Sequence, residues 1–185
     1  MKKIPTLFVR DRGTHRVTDE VTPGCEWVLA GEGVATRKYD GTCVMLDGNG
    51  KWWARREVKA GKSAPQMFQP VEYDEITGKN VGWEPVEQSP FYGFFSEAVA
   101  GENWEPTTYE LCGPKVNGNP EGFGQHELIQ HRDATRISPM ALSSPDVIRA
   151  TVTELGRQGI EGIVWHHPDG RMAKLKGKDL PRGES

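Results

Sequence analysis

Three observations predict an α+β fold built mostly from antiparallel sheets with a few helices. Short runs of β-branched and aromatic residues alternate with turn residues along most of the chain. One of them, 43–46, runs into Asp47-Gly48-Asn49-Gly50, a strong hairpin signal, and returns as 52–58. Only two segments, 92–100 and 145–158, carry helix signals.

Taken in order, residues 6–9 read as a short strand, and a polar segment follows as far as Pro23. Strands are expected over 27–30 and 34–37, separated by Gly31-Glu32-Gly33. After the 43–58 hairpin, residues 59–70 are rich in Lys, Gly, Ser, Pro and Gln and read as a loop. Residues 83–86 form a further strand candidate. The 92–100 helix has apolar residues at helical spacing and stops at Gly101. Thr107, Thr108 and Tyr109 give 107–112 strand character. Gly, Pro and Asn make 113–124 an irregular loop, and 127–130 is again a strand. Ser144 then supplies an N-cap, Pro145 the first helical position and Asp146 an acid in the first turn, with Gly159 as the stop. Residues 160–165, the turn Pro168-Asp169-Gly170 and 171–176 form a closing hairpin.

At 185 residues the chain is long enough for a substantial core. It shows no internal repeat and no linker, so one domain with a core over about 25–178 is expected. The net charge of −3 gives no global sign of a polyanion partner. Basic residues nevertheless cluster at 51–62 and 171–178. The three cysteines are far apart and form no C-x-x-C pair, which argues against a disulfide framework and a cysteine zinc site. A reducing, cytoplasmic setting follows. No apolar run reaches membrane-spanning length, so no membrane partner is expected.

Several chemistries are excluded. There is no G-x-x-x-x-G-K-[ST], and Gly31-x-Gly33 lacks the third glycine of a dinucleotide fingerprint. His126 and His131 are five apart, whereas H-E-x-x-H needs four to bring both to one helix face. No serine or cysteine stands in a nucleophile elbow. What remains is Lys38 at a strand end in Arg37-Lys38-Tyr39-Asp40-Gly41-Thr42, then Glu110, Glu161, Lys174 and Lys176. Lys38 can be a salt-bridge partner of Asp40 or a nucleophile, if nearby cations and a metal keep its amine unprotonated. Lys174 and Lys176 share a strand face by their spacing, either to bind an anion or as a polar edge.

Lys38-x-Asp40-Gly41, Glu110, Glu161-Gly162-Ile163-Val164 and Lys174-x-Lys176 stand in the order of the covalent nucleotidyltransferase motifs, and the chain resembles that superfamily from Thr36 to Lys176. Within it the resemblance is to ATP-dependent RNA ligases. Thr42 follows Gly41, and no arginine stands where DNA ligases and capping enzymes usually carry one. Ala35-Thr36-Arg37-Lys38, Trp53-Ala54-Arg55, Tyr109-Glu110-Leu111 and Val116-Asn117-Gly118-Asn119-Pro120 look like the vertebrate-type single-domain 5′-to-3′ RNA ligases.

The resemblance implies a ligase adenylation-domain fold without a C-terminal oligonucleotide-binding domain. It further implies ATP as AMP donor, Mg²⁺ or Mn²⁺, and RNA with 5′-phosphate and 3′-hydroxyl ends. Lys38 would be adenylated, and Glu161, with Asp40, would hold the metal. Lys174 and Lys176 would stabilise the α-phosphate, Glu110 would accept from the ribose hydroxyls, and Arg55 would contact the ribose or the 5′-phosphate. Ile163 or Trp165, opposite Phe123, would either wall an adenine slot beside Thr36 and Arg37 or belong to the core. Relatives often carry an acid before the lysine where this chain has Thr36-Arg37. Rival readings are a DNA nick ligase, a non-catalytic nucleotide- or RNA-binding module, and a carboxylate pair for glycoside hydrolysis.

Overall fold

The computed structural model describes residues 2–75, 77–101, 103–138 and 144–181. Among them the strands are β1 (Phe8–Arg10), β2 (Val17–Val21), β3 (Val34–Lys38), β4 (Thr42–Leu46), β5 (Trp52–Val58), β6 (Gln69–Asp74), β7 (Lys79–Pro85), β8 (Thr108–Cys112), β9 (Glu127–Gln130), β10 (Gly162–His166) and β11 (Met172–Lys176). The helices are α1 (Glu26–Leu29), α2 (Tyr92–Val99) and α3 (Pro145–Arg157). The named strands pair antiparallel throughout, so the protein is mixed α/β with mostly antiparallel sheets and few helices. No helix among the described residues is long and apolar enough to cross a membrane.

The chain divides into two units, Met1–Lys3 with Asp40–Asp133, and Ile4–Tyr39 with Ala134–Ser185. The first, the large-sheet unit, is a six-stranded sheet in the order β6-β7-β5-β4-β8-β9. Val44, Leu46, Ala54, Tyr109 and Leu111 line one of its faces, and Phe95 of α2 joins them with Val86 and Val116. Trp52 packs edge-on against Phe95, with ring centroids 5.0 Å apart. This leaves the alternate residues Cys43, Arg55 and Glu110 on the other face.

The second, the small-sheet unit, holds a three-stranded sheet in the order β11-β10-β3 and the β1-β2 pair. Its core takes Ala35, Ile163, Trp165, Ala173 and Leu175 from the sheet. From α3 it takes Ile148 and Val152, four residues apart on one helix face. Ser144 caps α3 by accepting a hydrogen bond from the Val147 amide, and Pro145 stands in the first turn. Gly159, at φ +79°, follows the helix end in the left-handed region.

Three elements differ from their sequence expectation. The strand expected at 27–30 is the one-turn helix α1, closed by the Ala30 amide donating to the Glu26 carbonyl at 3.1 Å, with Trp27 and Val28 buried. β2 lies inside the segment read as polar, since only its two terminal valines are apolar and no alternation announces it. β6 extends out of the expected loop; it carries Pro70, tolerated because the strand is at the sheet edge and its register shifts there. Removing the α3 cap with Ser144→Ala should lower stability by about 1 kcal/mol, read by urea denaturation.

Candidate active site

In the small-sheet unit β10 is the central strand, and its register sets out two rows. Lys38, Gly162 and Lys176 form one row across β3, β10 and β11; Thr36, Val164 and Lys174 form the next row but one. Residues opposite one another share a face, as do residues two apart, so Lys38, Lys174 and Lys176 project from the side of the sheet away from the core. Gly162 leaves the middle of the first row without a side chain. A Cβ there would lie 2.1 Å from the Leu175 carbonyl oxygen.

Glu161, immediately before β10, is the acid between the amines. Lys38 Nζ lies 2.6 Å from Glu161 Oε2, and Lys176 Nζ donates to Glu161 Oε1. The carboxylate is 7% exposed and each of these two lysines 18%. Lys38 Nζ also donates to the Tyr39 carbonyl at 3.3 Å. Burial by itself pushes the Glu161 carboxyl up, but Lys38 and Lys176 together outweigh it, so it lies below the ordinary glutamate range and stays ionised. Lys174 is pushed down to about 8, first by burial and then by the charges of Lys176 and Lys38, with Asp179 and Glu161 opposing.

The same alternation corrects two expectations. Ile163 is fully buried on the opposite face and is a core side chain, as is Trp165; Val164 is the apolar residue on the Lys38 side. Arg37 also faces away from Lys38. Its amide donates to the Thr135 carbonyl at 2.7 Å and its guanidinium lies 4.8 Å from the centre of the Tyr39 ring. Thr36 is buried on the lysine face, its hydroxyl donating to the Val164 carbonyl and sitting 3.0 Å from His166 Nε2.

The other expected residues belong to the large-sheet unit. The Asp40 amide donates to Glu121 Oε1 at 2.8 Å, and Asp40 Oδ1 accepts from Asn117 Nδ2 at 3.0 Å. Asn117 Nδ2 also reaches the Gly41 carbonyl at 2.8 Å from a left-handed backbone, φ +50°. The Gly41 amide donates to Glu110 Oε1, and a Cβ on Gly41 would lie 2.2 Å from the Leu111 carbonyl oxygen. Residue 41 must therefore be glycine because the chain passes against β8 there. Glu110, 8% exposed, pairs with Cys43 across β8 and β4, and His131 Nε2 lies 2.9 Å from its Oε2. Arg55 comes one residue after Ala54, which pairs with Val44, and so shares the Glu110 face, 6.0 Å from the Trp83 ring centre. Arg56 points to the other face and pairs with Glu84 at 3.9 Å, which settles which arginine shares the Glu110 side. Phe123 is held by its amide donating to Asn119 Oδ1.

Asn117, Glu121 and His131 have supporting contacts that sequence reasoning did not assign. The Val116–Pro120 segment stood out only by resemblance, and His131 only as half of a rejected zinc pair. No spacing rule could have linked His131 to Glu110.

An ionised acid between two lysine amines, with a third lysine on the same sheet face, is an anion-binding arrangement suited to phosphate. The chain is similar to the protein named RNA ligase 1 of Danio rerio, 25% identical over 94% of this chain and 79% of that protein. It is also similar to RNA ligase 1 of Rattus norvegicus, at 28%, and of Mus musculus, at 26%; both alignments cover 77% of this chain and 65% of the relative. The chain thus spans somewhat less than two thirds of the two rodent relatives. No family model matches it.

Gly41→Ala should cost about 1–3 kcal/mol by forcing β8 or the loop to move, whereas Gly48→Ala, with open space around it, should change stability little. Lys174 binds a proton less tightly folded than unfolded, so between pH 8 and about 10.4 the unfolded chain holds more protons and stability contributed through this residue rises with pH. Lys174→Met should accordingly be more stable than the parent at pH 7, by on the order of 1–2 kcal/mol after allowing for solvent screening, with the gap closing above pH 8. Denaturation series at pH 7 and 9.5 read both.

Proposed function

We propose that this chain is an ATP-dependent RNA ligase that joins 5′-phosphate and 3′-hydroxyl RNA ends through an AMP carried on Lys38. The observation that supports it most is the Lys38–Glu161–Lys176 cluster, with Lys174 on the same sheet face. The similarity to proteins named RNA ligase 1 supports the choice of reaction. In this reading both units belong to one nucleotidyltransferase domain of the ligase adenylation type.

Neutral Lys38 Nζ attacks the α-phosphorus of ATP. A nitrogen–phosphorus bond forms, the bond from phosphorus to the bridging oxygen breaks, and pyrophosphate leaves with the electron pair. Two protons leave Nζ, one before attack and one after, and Glu161 Oε2 at 2.6 Å is placed to pass them to solvent. Lys176 and Lys174 offset the charge on the α-phosphate. An oxygen of the RNA 5′-phosphate then takes the AMP and restores the amine, and the 3′-hydroxyl attacks that activated end and expels AMP. Glu110 accepts from the ribose hydroxyls, Val164 takes the apolar place beside adenine expected of Ile163, and Arg55 meets the phosphate of the 5′ end.

A hard divalent ion fits Glu161. Its Oε2 is buried and charge-paired with Lys38 at 2.6 Å, and Mg²⁺ characteristically takes one or two carboxylates together with substrate phosphates. Mn²⁺ has the same donor preference. Bound there, the ion would neutralise charge on the transferring phosphate.

Intact-protein mass spectrometry after incubation with ATP and Mg²⁺ should show the added mass of one AMP, absent in Lys38→Ala and reduced about 10²-fold or more in initial rate in Glu161→Gln. An unmodified parent protein would overturn the mechanism. Sealing of nicked DNA in preference to 5′-phosphorylated RNA would overturn the substrate.

A further inference from the structure

The face of the large sheet that carries Cys43 and Glu110 holds a second constellation. The ligand atoms of Cys43, Glu110 and His131 all lie within 4.8 Å of one another. We propose that these three side chains bind one thiol-seeking divalent ion, with Zn²⁺ the best fit, leaving a fourth position open.

The sheet places them together. Cys43 on β4 and Glu110 on β8 are directly paired, so their side chains leave the same face side by side. β9 is the other neighbour of β8, and the 3-10 turn His131–Asp133 follows its last residue, which returns His131 to Glu110. Thiolate, imidazole and carboxylate are the ordinary zinc donors, and a three-ligand site with an open position is the pattern of reactive zinc centres. Zinc–ligand lengths of about 2.0–2.3 Å require donor atoms roughly 3.3–3.6 Å apart in a tetrahedron. His131 Nε2 and Glu110 Oε2 stand at 2.9 Å, and the widest pair at no more than 4.8 Å, so side-chain rotation closes the set.

Outer contacts already orient the donors. Glu110 Oε1 accepts from the Gly41 amide, which leaves Oε2 facing His131. His131 Nδ1 lies 2.9 Å from Thr108 Oγ1. A hydroxyl can donate or accept, so when Nε2 ligates the ion the ring proton moves to Nδ1 and is donated to Thr108. Cys43 loses its thiol proton on binding, and thiolate plus carboxylate balance the two charges of the ion. The sulfur and nitrogen donors select against Mg²⁺, whose preference is for oxygen.

The inference does not depend on adenylation of Lys38, and where the ion is bound it takes Glu110 Oε2 in place of a ribose hydroxyl. Co²⁺ titrated into the full chain should give one equivalent of a thiolate-to-cobalt charge-transfer band with tetrahedral visible bands, both removed by Zn²⁺. Cys43→Ser should abolish the charge-transfer band, and His131→Ala should weaken Co²⁺ affinity at least about 10-fold. Cys25→Ala, altering a cysteine buried in the other unit, should leave the band unchanged. Absence of the band in the parent, or its persistence in Cys43→Ser, overturns the site. If Cys43→Ser fails to fold by circular dichroism, an unchanged affinity in His131→Ala overturns it instead. A protein that fails to take up AMP yet shows the cobalt band separates this site from the ligase reading.

Discussion

Glu161 is a nearly buried carboxylate with a lysine amine against each oxygen, and the arrangement exists only because three strands are in one particular register. Lys38 and Lys176 come from the two outer strands and flank Gly162 in a single row, with no side chain between them. Slipping either outer strand by one residue would turn its lysine into the apolar core. Ala35 on β3 and Leu175 on β11 oppose that slip, since the same step would carry them to the polar side. Packing on one face thus enforces charge placement on the other. Two cations on one acid leave the cluster with surplus positive charge, and Lys174 adds to it while being partly discharged by burial and by its neighbours.

Much of this was legible in the sequence. β5, β9 and the start of α2 fall where hairpin, strand and helix signals placed them, because those segments obey local rules of turn chemistry and periodicity. The two-residue spacing of Lys174 and Lys176 correctly put both on one strand face. The misplaced elements fail for local reasons: a single helical turn is too short to show a period, and β2 and β6 are held by partners more than by apolar alternation. Ile163 stayed open between core and adenine wall because a strand with both faces apolar does not reveal which side is the core; its pairing with Arg37 and Leu175 does.

The large-sheet unit shows the complementary limit. Glu110 could be singled out by its place in an ordered pattern, but its neighbours could not. Its surroundings come from a cross-strand cysteine 67 positions earlier and a histidine just past the next strand, a proximity created by pairing rather than by spacing. Asn117 and Glu121 are similar: both sit in an irregular loop, and their roles as partners of the Asp40–Gly41 backbone appear only when that loop is folded beside it.

The crowding around Gly41 changes what its motif means as a signature. Its hydrogen cannot become a methyl because a β8 carbonyl is in the way, and the aspartate before it is occupied by an asparagine side chain. One of the three fixed letters of K-x-D-G, the glycine, is therefore demanded by the path of the main chain. A chain of this fold would keep that glycine for as long as it kept folding, whatever stood at position 38. A search on this tetrapeptide would therefore select in part for a fold, whereas the amines at 38, 174 and 176 are held by no such crowding and can vary independently of it.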